Sequence, residues 1–229
     1  MAASSAAAQD SSAAGSQRLS DLAYRKVLEG LFDRTVPAGA FVSQNDLVNL
    51  LGIPVQPLRD ALRVLEAEGV LTIHPRSGIQ FLKPDLELAR STYQFRTIIE
   101  RAAARAYAET ADADVVASLI VDHKALLADI ERDGFDSVAL TRLGELEERL
   151  HGGMIASLRN PLVETTSRRL KNYVTLIRLD RLVTQPLALR TLREHLDILE
   201  AAAARDADAA EAALVGHFQA ALQRILGMF

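Results

Sequence analysis

Four side chains in the second half of the chain have the types and spacing to hold a metal. Glu147 and His151 are four residues apart in a helix-periodic segment, so they share one helix face. His195 and His217 follow in two later helical segments. One carboxylate and three imidazoles suit a divalent metal ion, zinc above all, with positions left for water or an exogenous ligand. The same spacing also describes a surface Glu–His pair with two unrelated histidines, and residue types alone leave that alternative open. Cysteine is absent, which excludes disulfides and thiolate metal sites. His74 and His123 read as ordinary surface or wing residues.

A second group of polar residues sits on a helix early in the chain. Between Val36 and Leu82 the order is helix, tight turn, helix, hairpin. Ser43 is a suitable N-cap, with Asp46 three residues on, and the helix that follows turns Leu47, Val48, Leu50 and Leu51 inward. Gly52-Ile53-Pro54 ends it: glycine for a left-handed backbone, isoleucine as a buried plug, proline to forbid continuation. The second helix starts at Pro57 and ends at Gly69. Leu58, Ala61, Leu62 and Leu65 form its apolar stripe, while Gln56, Arg59 and Arg63 fall on the opposite side. Glutamine and arginine on an exposed helix can hydrogen-bond adenine and guanine edges in a major groove. Two short strands, Val70–Ile73 and Ile79–Leu82, flank a Pro/Gly turn whose Arg76 can reach phosphate or the minor groove. An ordinary helical hairpin with a solvated arginine face is the bland alternative; the order of glycine and proline breaks weighs against it.

These elements need a frame, and 229 residues at 49% apolar content can supply two modest cores. Residues 1–17 are Ala/Ser-rich and read as a disordered tail. Leu19–Arg34 reads as an amphipathic helix (Leu22, Val27, Leu28, Leu31) under the helix-turn-helix, completing a DNA-binding domain at 18–82. Residues 83–85 form the linker. Residues 86–229 parse into six helices, at about 85–110, 112–133, 136–158, 161–181, 186–205 and 207–227. The fold class is therefore mainly α: a winged helix-turn-helix followed by an antiparallel helical bundle, which can enclose a site between facing helices. No apolar run is long enough to span a bilayer and no signal segment opens the chain, so a cytoplasmic location is expected. Sparse aromatics, 5% with no Trp, argue against stacking on single-stranded nucleic acid. Residues 1–84 carry eight basic and eight acidic side chains, so attraction to DNA must come from local placement of Arg25, Lys26, Arg59, Arg63 and Arg76.

The first domain resembles that of the GntR family of bacterial transcription regulators. The resemblance is carried by Leu47-x-x-x-Leu51-Gly52-Ile53, Pro57-Leu58-Arg59-Asp60-Ala61-Leu62, Leu65-Glu66-x-Glu68-Gly69-Val70-Leu71 and Arg76-Ser77-Gly78. Asn45 stands where the family often has Arg, and Pro54-Val55 where it has Ser-Arg. Glu147-x-x-x-His151, Asn160-Pro161-Leu162, Glu194-His195-x-x-Ile198-Leu199 and His217 resemble the FCD effector domain of the FadR subfamily, with six helices as in its VanR group. The resemblance implies metal ligation by the three histidines and by Glu147, where the family has Asp or Asn. Arg96-x-x-x-Glu100 is similar to the domain's Arg-x-x-x-Glu pattern. An inward Arg96 would fork onto a carboxylate effector, with Asn172 as a further candidate in the pocket.

The expected function is that of a ligand-responsive regulator, not an enzyme: a homodimer on a palindromic operator, commonly a repressor in this family, released by a small anionic effector bound near the metal. A direct metal-responsive regulator is the alternative. A metalloenzyme on the same cluster is weaker, since no general base or nucleophile stands out beside it.

Overall fold

The computed structural model describes the backbone of residues 2–227 and the side chains of residues 17–227. The chain divides into two compact units, Met1–Asp85 with Thr175–Ile177, and Leu86–Val174 with Arg178–Phe229.

The first unit opens with α1 (Ala2–Phe32), so the segment expected to be disordered is helical from Ala2 on. Its Ala-rich, Pro-free sequence accepts that conformation. Ala23, Val27, Leu28 and Leu31 are its buried stripe, whereas Leu22, expected inward, is 40% exposed. The stripe packs on α3 (Val55–Ala67), burying Leu58, Ala61, Leu62 and Leu65. Before it comes α2 (Gln44–Leu51), closed at its start by the reciprocal Ser43–Asp46 capping box and at its end by Gly52 at φ 62°. Only Leu47 of α2 is buried and Leu50 is 51% exposed, because one narrow face of this eight-residue helix is covered.

Helix α3 begins at Val55, two residues before the expected Pro57. Proline is tolerated there because a first-turn N–H has no intrahelical partner to lose. The helix ends in paired bonds from Gly69 N–H to the Glu66 carbonyl and from Val70 N–H to the Leu65 carbonyl, both 2.9 Å, with Gly69 left-handed. The hairpin β2 (Leu71–His74) and β3 (Gly78–Phe81) follows, with Ile73 opposite Ile79. A third strand, β1 (Phe41–Val42), was not expected; it pairs antiparallel with β3, giving the order β1-β3-β2. Its approach explains Gly78, where a Cβ would stand 2.8 Å from the Val42 carbonyl oxygen.

The second unit holds six helices, as expected: α4 (Leu86–Thr110), α5 (Ala113–Asp133), α6 (Ser137–Ser157), α7 (Pro161–Arg178), α8 (Gln185–Ala203) and α9 (Ala207–Ile225). Asp112, Asp136 and Asp206 cap α5, α6 and α9 by accepting from backbone N–H groups of the first turn. Helix α4 packs along α6 and α9, and α8 along α5 and α9. The polar residues buried among these helices include Arg96, Glu100, His123, His195 and His217. Among the described residues no helix is long and apolar enough to cross a membrane.

Candidate functional site

In the first unit, Gln56, Arg59 and Arg63 are exposed on α3, opposite its buried stripe, and Val55 is exposed at its start. Gln56 donates to both carboxylate oxygens of Asp60, at 3.1 and 3.2 Å, so its amide is held along the helix. Arg76 is exposed at the hairpin tip with a left-handed backbone, φ 65°. The Glu66 carboxylate accepts from Ile73 N–H at 2.7 Å and ties α3 to β2. Lys26, counted above among the local cations, instead donates to the Leu51 carbonyl at 3.1 Å. His74 is exposed at the end of β2, its ring 5.7 Å from that of Phe41.

In the second unit, His151 (α6), His195 (α8) and His217 (α9) converge. Each offers one ring nitrogen to a common point, and these nitrogens lie within 4.8 Å of one another. The ring centroids are 5.5, 5.5 and 4.8 Å apart. The Nδ1 of every one of these rings is engaged. His151 Nδ1 lies 2.7 Å from Glu100 Oε2, and His217 Nδ1 2.8 Å from Glu194 Oε2. His195 Nδ1 lies 3.3 Å from His123 Nε2, and His123 Nδ1 lies 2.7 Å from the Leu119 carbonyl oxygen.

The last chain defines a proton pattern. A carbonyl only accepts, so His123 Nδ1–H donates and its Nε2 accepts. His195 Nδ1–H must then donate, leaving a bare lone pair on His195 Nε2. That atom is buried without a hydrogen-bond partner. Burial pushes the His217 imidazole down to about 4 and His195 well below its usual value, so both rings are neutral near pH 7. Neutral imidazoles whose outer N–H groups are anchored present lone pairs inward, the arrangement metal ligation requires.

The carboxylates behind the rings are themselves held. Burial acts to raise the Glu100 carboxyl, but Arg96 and His151 outweigh it and keep it at about 2. Glu194 is likewise at about 2: burial raises it, and the bonds from His217 and Arg224 prevail. Arg224 donates from both terminal nitrogens to Glu194, at 2.9 and 3.2 Å.

Two residues expected at the site have ion-pair partners in the structure. Glu147 is not a member of the converging group; both its oxygens accept from Arg178 Nη1 at 3.1 Å. Arg178 also donates to Tyr93 Oη at 3.2 Å. Arg96 Nε donates to Glu100 at 2.7 Å and its guanidinium lies 4.4 Å from the Phe218 ring centroid. Asn172 is half-buried on α7. His123, read as a surface residue, is fully buried. Its signal was present, since it interrupts the helix-spaced apolar run Val116, Leu119, Leu126, Ile130. Arg178 and Arg224 carried no comparable sign of their pairings, and Glu100, picked out with Arg96, carried none of its bond to His151.

A helix-turn-helix with a hairpin wing, followed by a helical bundle enclosing three histidines, is the architecture of a DNA-binding transcriptional regulator. Residues 19–81 match the bacterial regulatory proteins of the gntR family and residues 91–220 match the FCD domain, and the chain belongs to this family of transcriptional regulators. It is 28% identical over 199 residues to the HTH-type transcriptional repressor RspR of Escherichia coli, covering 86% of this chain and 84% of that one. It is 21% identical over 195 residues to the regulator YdhC of Bacillus subtilis, covering 85% of each. Among solved structures it is similar to E. coli McbR/YncC, with TM-score 0.73, 15% identity, and 92% and 98% of the two chains covered. A GntR regulator from Rhodococcus sp. RHA1 matches with TM-score 0.70, 19% identity, and 94% and 99% covered.

Proposed function

We propose that this regulator is a metal-containing, ligand-responsive repressor that acts in the cytoplasm as a homodimer on a palindromic operator. The observation that carries the metal reading is the buried, unpartnered Nε2 of His195, aimed where one nitrogen each of His151 and His217 converges. A buried acceptor without a partner is costly, on the order of 1–3 kcal/mol, and a cation relieves that cost. His151, His195 and His217 would hold the ion, zinc being the best match to an all-imidazole set. When bound, the ion supplies an open coordination position to an oxygen ligand.

Charge supports an anionic effector. Around the histidines Arg96 is paired with Glu100, Arg178 with Glu147 and Arg224 with Glu194. These pairs offset one another and the His195 and His217 imidazoles are neutral near pH 7, so a divalent ion adds positive charge to the cluster. A small carboxylate would supply the missing anion. Arg96 then contributes through Glu100 and the orientation of His151, not by touching the ligand.

Gln56, Arg59 and Arg63 would read base edges, and Arg76 would contact the backbone or minor groove. One helix reads few base pairs, so a two-fold dimer on half-sites about one turn apart is needed for specificity. The named repressor among the relatives supports the direction of control. Effector binding would lower operator affinity by about 5–150-fold if it favours the unbound arrangement by ~1–3 kcal/mol.

The test is operator selection from genomic fragments at fixed salt, using protein of measured metal content, followed by titration with small carboxylates. Release that requires a carboxylate supports this reading. Release or binding controlled by zinc alone would make the ion itself the signal. Failure to enrich any palindrome would remove the dimeric-operator reading.

A further inference from the structure

The three histidines are not oriented in the same way. His151 and His217 are each backed by a carboxylate that an arginine holds in turn. His195 is backed by an uncharged ring, His123, which hangs from the Leu119 carbonyl one turn earlier on α5. The rings of His123 and His195 stand edge to face, 5.5 Å between centroids and 69° between planes. Both are completely buried, so neither ring faces bulk solvent.

We propose that His123 is a positioning residue of the metal centre, transmitting the acceptor character of the Leu119 carbonyl through its imidazole to His195. The relay holds His195 as the Nδ1–H tautomer, with its Nε2 lone pair toward the ion. A hydrophobic core role does not account for the geometry. A residue that merely fills space has no need of two committed ring nitrogens, whereas His123 has one partner for each.

The cluster also explains why an imidazole stands here and not a third carboxylate. Glu100, Glu147 and Glu194 already have Arg96, Arg178 and Arg224 as counterions. A further carboxylate beside His195 would need a further cation, and an unpaired charge in a buried position is strongly unfavourable. An imidazole carries an acceptor to His195 without adding charge.

Replacing the ring by an apolar side chain would strand His195 Nδ1–H. The His195 ring would then be free to turn over or to move its proton to Nε2, and either change withdraws the lone pair from the other two histidines. Partners of this kind typically govern about 10–100-fold in metal affinity. Glutamine differs from leucine in the one relevant respect, since its amide oxygen can accept near the position of the ring Nε2.

The experiment uses the full chain and two readouts. Long-range 1H–15N correlation on metal-free protein reports which nitrogen of His195 carries the proton, and chelator competition reports zinc affinity. We expect Nδ1–H on His195 in the unsubstituted protein and loss of that single tautomer in His123→Leu. Zinc affinity should fall about 10–100-fold in His123→Leu and only a few-fold in His123→Gln. A proton on His195 Nε2 in the unsubstituted protein would overturn the proposal, even if His123→Leu did not fold. Unchanged zinc affinity in His123→Leu would overturn it too, as would equal losses in the leucine and glutamine variants, which would mean shape matters and the acceptor does not. The affinity arm rests on the metal reading above. Absence of zinc binding in the unsubstituted protein would remove that reading, while the tautomer of His195 would still test the relay.

Discussion

Glu100→Gln tests the hydrogen-bonded frame of the site at the point where Arg96 and His151 meet. The carboxylate accepts from Arg96 Nε and His151 Nδ1, each at 2.7 Å, and is almost fully buried. Against the pull of burial it is held at about 2, below its ordinary 4.5. That depression corresponds to roughly 3 kcal/mol of folding stability by proton linkage. The figure agrees with the ~3–5 kcal/mol typical of breaking a buried charge pair from one side. A carboxyl lowered in the folded state stabilises above the unfolded value and loses that contribution as pH falls toward the folded one. The unsubstituted protein should therefore exceed the glutamine variant by about 3 kcal/mol at pH 7 in urea unfolding followed by circular dichroism. The gap should close progressively below about pH 4.5. A gap under about 1 kcal/mol at pH 7, the size expected of an exposed pair, would refute the reasoning. So would a gap of full size that persists at about pH 3.

Three other substitutions bear on separate parts of the molecule. Arg59→Ala should cost ~1–3 kcal/mol of operator binding and relax preference at one position of the half-site, measured by fluorescence anisotropy at fixed salt; equal affinity for all variants of the site would remove Arg59 from the reading face. His195→Ala with His217→Ala should abolish stoichiometric zinc by elemental analysis, and with it the stabilisation of about 2.7 kcal/mol expected at a hundredfold excess over Kd. Gly78→Ala should destabilise the first unit by about 1–3 kcal/mol in thermal unfolding, because the new methyl meets the Val42 carbonyl at 2.8 Å on a backbone with φ 152°. A neutral result there would mean that β1 yields without cost.

Local chemistry was the legible part of the sequence. Ser43 and the aspartates at 112 and 206 suit helix starts through side-chain oxygens that accept from first-turn N–H groups, Gly52 and Gly69 suit helix ends through a left-handed backbone, and the structure places helix ends beside each of them. The six helices of the bundle were legible for the same reason, since 3.6-residue periodicity is a property of each segment by itself. Strand β1 was not, because two residues carry no periodicity and its pairing depends on β3 arriving from a distant part of the chain. Leu22 and Leu50 look like core residues by type, yet which sectors of a helix are covered depends on its neighbours. The histidines could be picked out by type and spacing. Their partners could not: Glu100 to His151 and Glu194 to His217 join helices whose mutual rotation only packing decides. His123 marks the boundary: it reads as a surface residue although it stands in an apolar stripe, and its hydrogen bond to His195 required the assembled bundle.

The histidines and their supporting groups are drawn from α4, α5, α6, α8 and α9, whereas among the described residues α7 reaches the cluster through Arg178 and its bond to Glu147. An ion at that point would act as a knot tying five helices, so their slowest amide protons should become protected together when zinc is added, in one cooperative block. Helix α7, which contributes no ring to the knot and meets it through Arg178 and its bonds to Glu147 and Tyr93, should exchange before that block. The bundle would then consist of a rigid block and one looser helix, and an incoming anion that competed for Arg178 would loosen the latter without loosening the former.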